Sequence, residues 1–350
     1  MIKKFYLPFF VFNLFLLLIY FNNPITKLSL QIDDFYYKFN SHNPNKNIVF
    51  VQIGEKSINK FGRWPWDREV LAKNLLYLKN AKVVVLDMVF SEKTKKDSYL
   101  ATAIGELPAI CGFFLRKKAT QTINQNMLDI LLDSTIDIKN GFFIGGNYAE
   151  INVENILENC TLNAVFSTIA DKDGLFRDYP VAFTYRNVVF PSLGVQTLRF
   201  YFTKEIDIRN HKLIIDNLTI PLNNKNFLKL NYYKLNKYKI IPFTEIKHYN
   251  FKNKIVIVGL SEIGVSDIKS TPIGQIPGPL LHYTFISNIL NKDFIKQYKY
   301  LDLLFVLIGI IVPLLLKNRN INLIIRLSIY FVLDILFIVI AILIYKFFNI

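Results

Sequence analysis

The sequence predicts an α/β domain, a mixed and mainly parallel sheet covered by helices, set between membrane-spanning segments with one before it and two after it. Two observations carry this. Short continuous apolar runs alternate with stretches of helical period through the middle of the chain, and long apolar runs lie at its two ends.

The first element is the run Phe5 to Phe21, nearly all apolar and preceded by Lys3 and Lys4, close to the roughly 20 residues that a spanning helix needs. The stretch that follows, Asn22 to Lys27, has no small-x-small cleavage site, so an uncleaved anchor over 1–22 is expected instead of a removed signal peptide. Two further spans are expected within 300–350, from Leu301 to Leu316 and from Leu323 to Phe347. The loop between them, with Lys317, Arg319 and nearby Arg326, supplies a positive-inside signal. Lys292, Lys296 and Lys299 argue weakly the other way, but charge on a long translocated domain counts for little. The cytoplasmic side thus holds the N-terminus, and residues 23–299 are expected outside the cytoplasm. Asp302 can face water at the start of its span. Asp334, near the middle of the last one, needs a helix partner or a proton.

The middle segment opens with an amphipathic lead-in, Ile25 to Phe39, and a buried-strand run, Ile48 to Ile53. A helical stretch from Glu69 to Leu78 and a second run, Val83 to Leu86, complete a right-handed strand–helix–strand unit. The pattern continues with a helix near Tyr99 to Ile104 and a run from Ala109 to Leu115. Val181 to Tyr185 and Val188 to Phe190 flank Arg186-Asn187 as a hairpin. Ser192 to Phe202 has helical period, and Phe227 to Leu230 alternates as a strand. Ile255 to Gly259 is the last buried strand, expected beside the first in the same sheet. A final amphipathic helix, Leu280 to Leu290, leads to the second span.

The bulk numbers exclude some functions. Net charge is +15, which raises nucleic acid or anionic lipid as a partner, but the lysines are spread along the chain among Asn and Ile residues, with no Arg-rich stripe and interleaved aromatics, so neither is expected on the ground of charge. The only cysteines, Cys111 and Cys160, lack metal-site spacing. In an oxidising compartment they can pair; as separate buried thiols they would be small hydrophobes, and the sequence leaves both readings open.

Several motifs have a chemical reading beside a structural one. Gly62-Arg63-Trp64-Pro65-Trp66-Asp67-Arg68 holds both tryptophans; it is either a rigid corner with Asp67 capping the next helix or a ligand-contact loop in which Arg63 and Arg68 meet an anion beside an aromatic wall. Asp87, just past the end of a central strand, stands where sites form in open parallel sheets, and where a turn-forming Asp would also stand. Asp171 to Arg177 opens like a calcium loop, but Ala182 occupies the place of the bidentate Glu. An Asp-Gly turn, with Arg177 tied back to a carboxylate such as Asp173, is expected instead of a metal site. Gly259 to Gly264 lacks the pattern of a nucleotide loop, and no cofactor is expected. Asp267 and His282 could form an acid/base pair, yet no nucleophile motif accompanies them, so no catalytic residues are assigned.

Taken in order, these residues resemble the second type of CHASE domain, the cyclase- and histidine-kinase-associated sensory extracellular domain of bacterial receptors. The matching positions are Gly62 to Trp66 with Arg68, Asp87 and Phe90, Asp97 with Leu100-Ala101, Asp173-Gly174 with Arg177, and Pro191 to Leu193. A closing set follows: Gly259, Asp267, Thr271-Pro272, Pro277-Gly278 and His282. They cover roughly residues 30 to 295. Gly54-Glu55, Pro279 and Tyr283 depart from the pattern. The resemblance implies a sensor with membrane helices on both sides that feeds a cytoplasmic kinase or cyclase. With two helices after the domain and no output module, the partner is expected to be a separate subunit, unless the chain is a receptor that has lost its output. A homodimer is implied on the same ground. An envelope scaffold without a ligand, or a hydrolase using Asp267 and His282, are the rival readings.

Overall fold

The computed structural model describes residues 37–138, 141, 143–261 and 268–295, with scattered positions between 30 and 35 and between 311 and 343. Two compact units form, His42–Phe294 and Met1–Ser41 with Ile295–Ile350. In the second, a 3-10 turn covers Tyr37–Phe39, and the rings of Phe35 and Phe39 meet edge-on with centroids 5.2 Å apart. Among the described residues no helix is long and apolar enough to cross a membrane. The three expected spans fall almost wholly outside the described residues, as do Asp302 and Asp334.

The unit His42–Phe294 is built on a seven-stranded sheet. In chain order its first elements are β1 (Ile48–Ile53), α1 (Glu55–Phe61), α2 (Arg68–Leu75), β2 (Val83–Asp87), α3 (Asp97–Gly105) and β3 (Ala109–Arg116). Next come α4 (Gln125–Leu132), β4 (Tyr148–Glu150), α5 (Glu154–Asn159), β5 (Leu162–Val165), β6 (Asp178–Pro180), β7 (Ala182–Tyr185), β8 (Val188–Pro191) and α6 (Leu193–Phe202). The remainder is β9 (Ile206–Arg209), β10 (Lys212–Ile215), β11 (Leu218–Pro221), β12 (Phe227–Lys229), β13 (Ile240–Pro242), β14 (Ile255–Leu260), β15 (Ile268–Thr271), β16 (Gly274–Pro277) and α7 (Pro279–Asn291).

The sheet runs β13-β1-β14-β2-β3, with β5 parallel to β3 and β4 antiparallel to the far end of β3. The central pairings are parallel. As expected, the first strand lies beside the last long one. Unbroken Ile and Val runs suit this position, because a parallel strand is covered on both faces and has no use for a polar alternation. Val49, Val51, Ile53, Val84, Leu86, Val256 and Val258 face one core, closed by α2, α3 and α5. Alternation turns Ile48, Phe50, Val83, Val85, Ile255 and Ile257 to the other face, where α6 and α7 pack. The expected hairpin is present as β7–β8, with Arg186 and Asn187 both at positive φ, the geometry of a two-residue turn that matches strand twist.

Two expectations need correction. Asp87 is the last residue of β2 and does not lie beyond it. The final helix is not amphipathic, since every residue of α7 from Pro279 to Ile289 is buried. The sheet covers one side of it, and the segment around β6 and residues 231–238 supplies partners on the other. Its polar residues therefore face protein where an amphipathic helix would meet water.

Cys111 in β3 and Cys160 after α5 form a disulfide with Cα atoms 5.9 Å apart, which decides between the two readings left open above. Both sulfurs sit in the core under α2, α3 and α5. The bond closes a loop spanning 49 residues and fastens the crossover from β3 to β5. For a loop of that length the restriction of the unfolded chain is worth about 4 kcal/mol. Replacing both cysteines by serine should lower the thermal midpoint of the domain by about 8–16 °C. Equal midpoints with and without reductant would show that the bond adds nothing.

Candidate functional site

The two tryptophans make a corner between α1 and α2. The Trp66 indole N–H donates to Gly62 O at 2.7 Å, and its ring packs on Phe61, Trp64 and Phe243 with centroids 5.1–5.5 Å apart. Asp67 caps α2 as expected, accepting from the Glu69 N–H at 2.9 Å. Arg63 is exposed, whereas Arg68 is buried. Arg68 Nε donates to Asp97 Oδ1 at 3.0 Å, its guanidinium also donates to Glu92 O at 3.2 Å, and it lies 4.5 Å from the Phe90 ring centroid. The two arginines do not converge on one anion. Arg68 instead ties the start of α2 to the start of α3. Burial works against the charge on Asp97, yet hydrogen bonds from Thr94 and Arg68 hold its carboxyl below the usual range.

A second group of motif residues gathers at the carboxyl ends of the central strands. β2 and β14 are neighbours, with Asp87 opposite Gly259, but the chain leaves β2 toward α3 on one face and leaves β14 toward α7 on the other. Such a parting of connections marks the place where ligands bind in open parallel sheets. Gly259 is required here, because a Cβ would stand 2.5 Å from Pro279 Cγ in the first turn of α7. Strand alternation points Asp87 to the α7 face, where its Oδ2 lies 3.7 Å from Nε2 of buried His282. The other ring nitrogen, Nδ1, is 2.6 Å from the Tyr179 hydroxyl. Nε2 takes the proton because a bare lone pair facing a carboxylate would be repelled, which leaves Nδ1 to accept from Tyr179 O–H. The Tyr179 oxygen in turn accepts the Gly194 N–H at 2.9 Å, and its ring stacks on Phe285 at 4.2 Å. Burial, helped by the charge of Lys269, pushes His282 down to about 3, so its imidazole is neutral at ordinary pH. Burial likewise raises the Tyr179 hydroxyl, which keeps its proton.

Arg177 steadies this group from the side. It is 2% exposed and grips Asp173 through two parallel bonds of 2.8 Å (Nη2–Oδ2) and 2.9 Å (Nη1–Oδ1), and Asp171 at 2.8 Å. The turn is the expected Asp-Gly turn, with Gly174 at φ +86°. Both carboxylates are engaged by the guanidinium. The chain on either side of Arg177 reaches two neighbours: Phe176 N–H donates to Ser270 O at 2.8 Å, and Tyr179 in β6 meets His282. Thr271, next to Ser270, closes the β15–β16 turn by donating to Gly274 O at 2.6 Å. Asp173, Arg177, Thr271, Asp87 and His282 are thus linked through the segment 176–179 and the hairpin, while Arg63, Trp64, Trp66 and Arg68 form a separate corner. Asp267 lies outside the described residues.

Tyr179 was not singled out from sequence, and neither was the cluster at the other end of α7. There Asn288 Nδ2 donates to Asn231 O (3.0 Å), Tyr233 Oη (2.9 Å) and Asp293 Oδ1 (3.0 Å), and the Asn231 N–H returns a bond to Asn288 Oδ1 at 2.9 Å. Tyr233 donates to Asp293 at 2.8–2.9 Å, and Ser287 bonds Tyr233 at 3.0 Å. Burial pushes Asp293 up to about 6. The available signal was an Asn and an Asp within an apolar helical run, each of which had to find a partner.

A helix-covered parallel sheet whose two central strands send their connections to opposite faces is the layout in which open α/β sheets place their binding sites. The chain belongs to the CHASE2 domain family of extracellular sensory domains, whose family model matches residues 11–316. No curated protein and no solved structure matches it.

Two outcomes follow from this geometry. Arg68→Ala strands the buried Asp97 carboxylate and should destabilise the domain by about 3–5 kcal/mol, whereas Arg68→Met with Asp97→Leu should cost far less, as read from denaturant midpoints. His282 binds a proton below pH 6.5 only when unfolded, so wild-type stability should fall as pH drops from about 6.5 toward 3. His282→Gln should remove that part of the slope; an unchanged slope would show that His282 is not held neutral.

Proposed function

We propose that this chain is a membrane-anchored, extracytoplasmic sensor in which the buried Asp87–His282 pair at the strand ends responds to a cue and α7 carries the response toward a membrane-embedded partner. The observation that supports it most directly is the placement of α7. One helix carries Pro279 and His282 at the carboxyl ends of the strands and Asn288 toward its other end, roughly 14 Å from Pro279 at 1.5 Å per residue. The unit then ends at Phe294, seven residues before the expected start of the next span. A shift in the first turn of so buried a helix moves its last turn as well, because packed cores change between discrete arrangements and do not flex continuously.

The disulfide fits an oxidising compartment, in keeping with residues 23–299 outside the cytoplasm and the flanking segments 1–22 and 300–350 in the membrane. The partner is a separate kinase or cyclase subunit, and two copies of the chain are placed side by side to couple the helices. The reading assigns no reaction to this pair, since His282 is neutral, sealed from solvent and already bonded to Tyr179.

Both native cysteines are held in the disulfide, so a single added thiol gives a clean report of sidedness. In intact cells, Lys252→Cys in the full chain should be labelled by an impermeant maleimide, and the chain should stay with the membrane in alkaline carbonate. Labelling that appears only after lysis would place the domain in the cytoplasm and end this reading.

A further inference from the structure

Lysines that are scattered in sequence are brought together at the amino-terminal edge of the sheet. β13, β1 and β14 are adjacent and parallel, and Lys239 and Lys254 immediately precede β13 and β14, while Lys46 lies two residues before β1. The register pairs Phe50 with Ile240 and Ile48 with Ile255, so Lys254 stands level with Asn47, beside Lys46, and Lys239 level with Val49, on neighbouring strands about 4.8 Å apart. The three lysines line a cavity of about 410 Å³ together with Ile241, Tyr249 and Phe251, and no Asp or Glu is among the described residues lining it. Lys254 Nζ donates to Lys46 O and Asn47 Oδ1, each at 3.1 Å, and Lys239 Nζ lies 5.5 Å from the Tyr249 ring centroid. These are neutral partners, which orient the ammonium groups without cancelling their charge. Between Lys234 and Lys254 the only acidic residue is Glu245, and it pairs with Lys56 at 3.3 Å.

The chain enters and leaves the unit at this same edge. Asn45 N–H donates to Ser287 Oγ at 2.8 Å, Asn45 Nδ2 to Asn291 Oδ1 at 2.8 Å, and Asn291 Nδ2 to Asn43 O at 3.0 Å, so the entry segment is fastened to the last turns of α7. From Phe294 to the expected span at Leu301, seven residues reach at most about 25 Å. The groove therefore opens within one short linker of a bilayer surface, given the anchoring proposed above.

We infer that this groove holds the phosphate of an anionic phospholipid headgroup. Clustered ammonium groups attract the anionic surface of a bilayer, and a half-exposed tyrosine beside apolar side chains suits the headgroup region, where one end of the ring is wet and the other is not. The bound headgroup would fix the pole at which α7 ends, making the sensor's output dependent on the lipid around it.

The test is hydrogen exchange on the full-length chain in nanodiscs of phosphatidylcholine alone or mixed with phosphatidylglycerol. Amides of 43–47 and 249–254 should exchange about tenfold more slowly in the anionic discs. The difference should disappear in Lys46→Gln/Lys239→Gln and at high salt, with α3 unchanged as a check on the fold. Equal exchange in both discs, or a difference that survives the double substitution, overturns the proposal. The same slowing caused by inorganic phosphate in neutral discs overturns it in favour of a soluble phosphate ester. Failure of the chain to enter discs or to resist carbonate brings down the anchoring reading and this one with it, whereas entry without lipid dependence removes the groove's role alone.

Discussion

The architecture depends on a helix with no solvent face. From Pro279 to Ile289 α7 is buried, so it must satisfy every polar group within the protein and fill every gap with apolar side chains. Burying Leu280, Phe285, Ile286 and Ile289 contributes on the order of 1.5–3 kcal/mol each. The polar side chains between them set direction: Thr284 bonds Tyr238, Tyr283 reaches Ile48 O at the start of β1, and Asn288 binds three partners at once. Each bond adds little net energy, but each would cost the full desolvation of its groups if the helix rotated. The result is a single register of α7 against the sheet. The glycine opposite Asp87 and the clamp at Arg177 can be understood as requirements for seating it.

Much of the fold was legible because parallel strands announce themselves. The runs at Ile48, Val83 and Ile255 are too short for helices and too uniformly apolar for a solvated sheet, so their order as neighbours followed from the strand–helix–strand rule. The Asp67 cap, the Arg186-Asn187 hairpin and the Asp-Gly turn were legible from local turn chemistry. The elements between β3 and β6 and the β9–β11 meander are only three to eight residues long, too short to establish a period, and escaped the reading. The burial of α7 escaped it for a different reason. Polar residues in a helical run signal a wet face unless their partners are known, and those partners, Tyr233, Tyr238 and Asn231, stand about 50 residues away.

The site was legible as a set of residues and not as a geometry. Arg68 and Asp97 stood in order along the chain, and only the fold shows that they satisfy each other. Asp173 and Arg177 were expected to pair and do so. Asp87 and His282, 195 positions apart by their numbers, meet because β2 and β14 are adjacent and α7 doubles back across their ends. Tyr179 completes the group from a strand that sequence patterning did not mark. The lysines are a similar case, since those before β1, β13 and β14 look dispersed along the chain and line one cavity once the strands align.

β13 bounds the sheet on one side, and its build restricts how copies of the chain can meet. It is three residues long, ends in Pro242 and is preceded by Lys237 and Lys239. A short edge with a missing N–H and flanking positive charge is a poor template for a further strand. Two copies are therefore not joined through β13 into one continuous sheet, and an apposition at this edge would rest on side chains and loops, which can be broken and remade without unzipping a sheet.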